Sequence, residues 1–334
     1  MIFFMFLLTV TSSPQAAQNQ KTVESETGFY YTVQKGDTLW DLSQKFSDTP
    51  WQWPEMWKEN KQIANPHRIY PGDRIRLYRR RSAQGIGEKK RFRDKPEITK
   101  LLEYQYASIE RVGFIRKEPV TSHGTLFKVE GNKTMIATGD LVYIRPQNGR
   151  TLEPGSKYTI FRTLKPIVEK ESGKFIGIQH LLTGIVEISV KRPEFVLGRI
   201  VAAYRPINVG DLLMPHVGRL PRIGLQPSPE GMKGKIIGSE EHRGIFGESD
   251  IAFIDKGEQE GIRIGQMYWI YKQEKYRIDS EQKSETTLTP VLLGELLVLH
   301  TEKTTSTVII TDSRDAIQAE AGFATPFEFD SLED

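Results

Sequence analysis

Between Tyr31 and Leu77 the apolar residues change period in a way that separates short elements. Tyr31-Thr32-Val33 is a β-prone run, and Gly36-Asp37 after it suits a tight turn because glycine takes positive φ freely. Thr38 with Asp41 three residues later has capping-box spacing, so a helix is expected to begin there. Leu39, Leu42 and Phe46 then fall at i, i+3 and i+7 and form one apolar stripe. Ser47 to Pro50 interrupts it. The spacing of Trp53, Met56, Trp57 and Asn60 predicts a second helix over Trp53–Asn60, with Pro54 suited to its first turn. Asn65-Pro66 and Pro71-Gly72-Asp73 are turn punctuation, and Arg74-Ile75-Arg76-Leu77 alternates as a strand does. The order is strand, helix, helix, strand.

Further along, the chain repeats itself at a constant offset of 110 residues. Gly124 matches Gly234, Asp140 matches Asp250, Ile144 matches Ile254, and Tyr158-Thr159-Ile160-Phe161-Arg162 aligns with Tyr268-Trp269-Ile270-Tyr271-Lys272. Gly184 likewise meets Gly294. One gap-free offset over so long a stretch implies a duplicated domain. Each copy shows short β-rich runs divided by glycine turns, the pattern of a small barrel or sandwich. Thr138-Gly139-Asp140 and Val209-Gly210-Asp211 are expected to be hairpin punctuation, because no alternating Asp or Asn ligands accompany them. Ahead of the first copy, Ile98–Ser108 is expected to form a short helix and Ile109–Ile115 a strand.

Composition adds bounds. The 334 residues are 38% hydrophobic and 27% charged, with a net charge of +3, which gives no general case for nucleic acid. Ile2 to Val10 is an apolar run too short to span a bilayer, and Ala16-Ala17 follows it, so residues 1–17 are expected to be a signal peptide. There is no cysteine, which excludes a disulfide framework and lipid attachment through an N-terminal cysteine. The expected organisation is then a signal peptide (1–17), a flexible leader (18–29), the first module (30–78) and a basic linker (79–95). A β-rich first repeat (96–211), a proline-rich connector (212–233), a second repeat (234–324) and an acidic tail (325–334) follow. The linker's Arg79-Arg80-Arg81 and Lys89-Lys90-Arg91-Phe92-Arg93 are assigned to a solvated connection, with an anionic surface as the alternative.

The opening motif Val33-Gln34-Lys35-Gly36-Asp37-Thr38-Leu39, with Asn65-Pro66-His67-Arg68-Ile69-Tyr70-Pro71-Gly72-Asp73 at the far end, resembles the LysM family. Trp53-Pro54-Glu55-Met56 is similar to the W-P-x-hydrophobic motif of a bacterial subgroup. The resemblance implies an α+β LysM module (βααβ) followed by two mainly-β tandem repeat domains. It implies binding of the N-acetylglucosamine-containing glycan strands of peptidoglycan in a shallow groove between two loops. Gly36, Asp37, Thr38 and Leu39 would form one side, and Asn65, Pro66, Ile69, Tyr70 and Pro71 the other. A glycan presents hydroxyls and acetamides to loop backbone and an apolar face to Leu39, Ile69 or Tyr70. Trp40, Trp51, Trp53 and Trp57 are assigned to the core, since so small a domain needs large aromatics to bury enough surface.

No catalytic constellation assembles from the sequence. The histidines His67, His123, His180, His216, His242 and His300 are scattered, with no zinc-protease spacing. No nucleophile elbow or phosphate-binding glycine loop occurs. Glu240-Glu241 is the nearest carboxylate pair and is assigned to a solvated loop, while His180 and His300 are placed at a surface or pocket edge. The expectation is a non-catalytic, exported protein of the periplasm or cell wall. It needs no cofactor or metal, has no transmembrane span after signal cleavage, and its β repeats hold an envelope protein or other partner. The alternatives are a structural part of an export or pilus assembly, and a wall hydrolase with an unrecognised carboxylate site.

Overall fold

The computed structural model describes residues 26–47, 49–77, 102–169, 172–277 and 286–325. The expected signal peptide, most of the leader, the basic linker and the acidic tail beyond residue 325 lie outside the described residues. The chain forms two units, residues 1–107 and 108–334.

In the first unit, β1 (Gly28–Thr32) precedes α1 (Leu39–Phe46). A single 3-10 turn at Pro50–Gln52 leads into α2 (Trp53–Glu59), and β2 (Arg74–Arg76) closes the motif. Thr38 caps α1 as its spacing predicts: its hydroxyl oxygen accepts from Asp41 N at 3.1 Å. Leu39, Leu42 and Phe46 are buried, so the apolar stripe is the face that packs on the sheet. Trp53 and Pro54 open α2, and the helix ends on Asn60 as its C-cap. The Asn60 side chain then does more than cap. Its Nδ2 donates to Met56 O at 2.6 Å and to Arg76 O at 2.9 Å, and its Oδ1 accepts from Arg76 N at 2.7 Å. One buried amide thereby fastens the end of α2 to β2. Residues Leu102–Gln105 form strand β3, not the helix their sequence suggests. They run antiparallel to β1, with Gly28 opposite Gln105 and Tyr31 opposite Leu102, while β2 occupies the other edge. The unpaired edge of β1 outweighs the local helical preference of a short segment.

The second unit starts with a 3-10 turn (Ile109–Arg111) and the short strand β4 (Phe114–Arg116). Then come β5 (Gly124–Val129), β6 (Leu141–Pro146), β7 (Lys157–Val168), β8 (Phe175–Lys191), β9 (Val196–Ala203) and β10 (Leu212–Pro215). These six pair antiparallel in the order β5-β6-β9-β8-β7-β10, and β10 returns to β5, so the sheet closes on itself. After β11 (Arg222–Gly224) the same circuit recurs through β12 (Lys233–Ser239), β13 (Ile251–Ile254) and β14 (Met267–Lys272). A two-stranded flap, β15 (Lys275–Tyr276) with β16 (Thr286–Thr287), interrupts it. The circuit is completed by β17 (Val291–Thr301), β18 (Ser306–Ser313) and β19 (Gly322–Ala324), closing in the order β12-β13-β18-β17-β14-β19. Starts at Leu141, Lys157, Val196 and Leu212 recur 110 residues later at Ile251, Met267, Ser306 and Gly322. The hairpin of the first barrel is longer, β7 having 12 residues against 6 in β14.

Closed barrels leave no sheet edge open, and each encloses its own apolar core. Leu126, Val142, Ile144, Ile160, Val186 and Leu213 belong to the first, and Ile236, Ile254, Tyr268, Leu296, Ile310 and Phe323 to the second. Gly184 and Gly294 occupy the same place in each. A Cβ at Gly184 would lie 2.4 Å from Ala202 O, and one at Gly294 would lie 2.1 Å from Asp312 O. Two strands approach there too closely for any side chain.

Between the barrels lies a polar junction that the sequence does not announce. Glu240 is 2% exposed, contrary to its assignment to a solvated loop, because β4 and Arg205 cover it. Its carboxylate accepts from Gly113 N at 2.7 Å and from Arg205 Nη2 at 2.6 Å. Gln179 Nε2 donates to Glu240 O at 3.0 Å, while Thr305, just before β18, and Thr307 within it donate to Ile115 O and Gly113 O. Arg116 and His300 both bond to the Glu302 carboxylate, at 2.7 Å and 2.9 Å. His180, assigned from sequence to the surface, is fully buried. It stacks on Phe114 with ring centres 4.8 Å apart and accepts from Val120 N at Nε2. Among the described residues no helix is long and apolar enough to cross a membrane.

Replacing Glu240 by alanine leaves the Gly113 N–H unsatisfied and Arg205, only 11% exposed, without its inner partner. The expected cost is on the order of 3–5 kcal/mol by thermal or urea unfolding of the full chain. Glu241→Ala, which removes only the outer, 54% exposed partner of Arg205, is expected to cost below about 1 kcal/mol. Equal losses in the two variants would refute the junction.

The junction is also expected to respond to acid. Burial pushes His180 down to about 4, so the folded protein keeps it neutral while the unfolded chain protonates near its ordinary value. Its contribution is therefore present at neutral pH and is lost as pH falls from about 6.5 to about 4. His300, also lowered by burial, acts in the same direction. Burial pushes Glu302 up, but His300 and Arg116 outweigh it, so that carboxylate loses stability on further acidification. Glu240, raised by burial against the pull of Arg205, opposes the trend. The midpoint of unfolding between pH 7 and 4.5 should fall more steeply in the native protein than in His180→Gln, and parallel slopes would exclude His180 as a contributor.

Candidate functional site

The two loops singled out from sequence meet at one end of the β1–β2 pair. Val33 N donates to Asp73 O at 2.9 Å and Gly72 N donates to Val33 O at 2.9 Å, which ties the turn after β1 to the turn before β2. Each turn is fixed from within by a carboxylate. Asp37 Oδ2 accepts from Gln34 N at 2.8 Å and from the Tyr31 hydroxyl at 2.9 Å. Asp73 Oδ2 accepts from Tyr70 N at 2.8 Å. Gly36 and Gly72 both have φ of +94°, the left-handed conformation that glycine adopts without strain. Burial, and then its bond to Asp37, holds the Tyr31 phenol far above its ordinary value, so it remains a donor at any physiological pH. Farther out, Asn65 Oδ1 accepts from His67 N at 3.0 Å, and Trp57 Nε1 donates to Ile63 O at 2.7 Å, bracing the descending loop on α2.

Gly36, Thr38, Asn65, Tyr70 and Pro71 are exposed, while Asp37, Pro66 and Ile69 are half-buried. Tyr70 offers most, at 61% exposure. The Leu39 side chain differs from them: it is 2% exposed, because position 39 begins the stripe that packs on the sheet, and only its main chain faces the loop. The arrangement offers backbone amides and carbonyls, one hydroxyl and a tyrosine face, which suits a ligand with polar rims and an apolar face. Among the described residues no group of three or more His, Asp or Glu side chains is placed to hold a metal.

The tryptophans depart from expectation. Trp53 and Trp57 are half-buried, but Trp40 is exposed and Trp51 is 74% exposed, the two meeting edge to face at 4.8 Å. Trp40 lies off the stripe of Leu39, Leu42 and Phe46, so helical spacing alone places it outside the core.

Comparison with known proteins falls on the same stretch. Residues 31–77 match the LysM domain family. Over 57 residues the chain is 42% identical to the uncharacterized protein YqbP of Bacillus subtilis, a match covering 14% of this chain and 26% of that protein. The likeness therefore spans about a quarter of the relative and is confined to a small part of each chain. Two motif-bearing loops joined at Val33, a capped α1, a Trp-Pro-opened α2 and the family match coincide: residues 31–77 are a LysM domain, and this is a LysM-domain protein.

Proposed function

We propose that the protein is a non-catalytic binder of peptidoglycan, holding GlcNAc-containing glycan strands in the groove between residues 36–39 and 65–71. The observation that carries this reading is the pairing of Val33 with Gly72 and Asp73, which brings the two motif loops side by side and leaves Tyr70 exposed beside them. The peptide groups of the loops are matched to acetamides and hydroxyls, and Tyr70 with Ile69 to the apolar face of a sugar ring. Leu39 contributes only main chain. LysM domains are typical of extracellular and cell-wall proteins, which supports an exported, periplasmic or wall-associated location. In this reading the tandem barrels are the part that holds a partner at the wall.

Tyr70→Ala in the full chain is expected to weaken binding to a chitin oligomer or to purified sacculi by about 1–2 kcal/mol, the scale of a lost aromatic contact. Its unfolding midpoint should not move, since the side chain is mostly exposed. Thr38→Ala should lose about 1 kcal/mol of stability through its cap, so its binding is read only below the onset of unfolding. Titration with a parallel melt separates the two effects. Normal binding by Tyr70→Ala, or losses that only ever follow stability, would place the sugar elsewhere.

A further inference from the structure

The first barrel carries an open depression of about 480 Å³ at one end. Its polar lining comes from His123, Arg150, Thr151, Ser156, Lys157 and His216, and no carboxylate lines it. Arg150 and Lys157 are exposed cations, whereas both imidazoles are half-buried. His216 is fixed by a 3.0 Å hydrogen bond between its Nδ1 and the Thr159 hydroxyl. Lys157 has only a loose, exposed ion pair with Glu187 at 3.9 Å, and among the described residues the Arg150 guanidinium has no acidic partner. Burial, and then the charge of Arg150, holds His123 below its ordinary value.

The second barrel shows that this chemistry is not a by-product of the fold. There Arg150 corresponds to Glu260, Ser156 to Gln266 and Lys157 to Met267. The same end is filled by the incoming chain: Gln226 N donates to Gly265 O, and Ser228 bonds to the main chain of Met267 in both directions. Glu260 is turned to Gly257 N at 2.8 Å and caps its own turn. One end is met by the incoming chain; the other is open and lined by Arg150 and Lys157.

We propose that the cavity of the first barrel is a binding site for a phosphate group, borne as an ester on a small polyol or sugar. Two cations, two imidazoles and two hydroxyls exceed what the two oxygens of a carboxylate can use, and they suit the three terminal oxygens of a phosphate monoester. The cavity is wider than the anion needs, which leaves room for the esterified group. The site lies on the barrel and stands independently of glycan binding by the LysM domain.

The test follows the histidine side-chain resonances of the full chain by NMR during titration with inorganic phosphate and with glycerol 3-phosphate, with chloride at matched ionic strength as control. Saturable shifts of His123 and His216, assigned through His123→Gln and His216→Gln, are expected with a Kd on the order of 1 mM or tighter. The ester should bind more tightly than inorganic phosphate. Arg150→Gln and Lys157→Gln should each weaken binding about tenfold with the melting temperature unchanged, both side chains being exposed. Equal affinity for the two probes would overturn the ester and leave free phosphate as the ligand. Absence of saturation, the same shifts with chloride, or undiminished binding in the Arg150→Gln/Lys157→Gln double variant would overturn the site altogether. Sacculus binding measured on the same samples reads the LysM domain separately.

Discussion

A buried carboxylate fixes the architecture of the larger unit. Glu240 sits in low-dielectric surroundings where an isolated charge would be strongly destabilising, so it persists only because Arg205 and the Gly113 amide both meet it. Those partners come from different parts of the chain, Gly113 just before β4 and Arg205 just after β9. Satisfying one carboxylate therefore sets the position of the first barrel, the β4 segment and the second barrel together. Thr305 and Thr307, bonding to the carbonyls around β4, reinforce the same geometry. Apolar packing alone would tolerate sliding between two smooth barrels, whereas a directional ion pair with several hydrogen bonds selects one arrangement.

The two barrels share a circuit and differ in use. Both need the glycine at the point where Gly184 or Gly294 touches a neighbouring carbonyl, and both enclose an apolar core. Their ends have diverged: the first is longer in its β7–β8 hairpin and basic at its cavity, while the second is capped by the connector. The two circuits share a core arrangement while their ends differ, as loops on rigid frames commonly do.

The LysM domain was legible because its signals are local. Thr38 with Asp41, Pro54 at a helix start and the two Gly-Asp turns each specify a conformation within a few residues. Strand starts 110 residues apart follow the constant offset of the sequence, because such an offset survives even where individual residues drift. What escaped depended on distant partners. Leu102–Gln105 became a strand because an edge of β1 lay open to it. Glu240 and His180 became buried because β4 covers them, and no property of Glu240-Glu241 as a dipeptide distinguishes the inner carboxylate from the outer. Trp40 lies off the helical stripe and Trp51 packs against it at the surface, so neither follows the general need of a small domain for buried aromatic bulk. The residues around the barrel cavity come from separate segments of the first repeat, so no single stretch of sequence carries their chemistry.

The placement of β3 beside β1 has a mechanical consequence. The motif loops project from the Thr32 end of the sheet, while β3 ends at Gln105, opposite Gly28 at the other end. A pull between the Thr32 end of β1 and the Gln105 end of β3 would run along the strands. The hydrogen bonds between β1 and β3 lie across that direction and would be loaded in shear, all at once, instead of being unzipped one after another. Strands paired this way resist force collectively, whereas a hairpin pulled from one end peels open bond by bond.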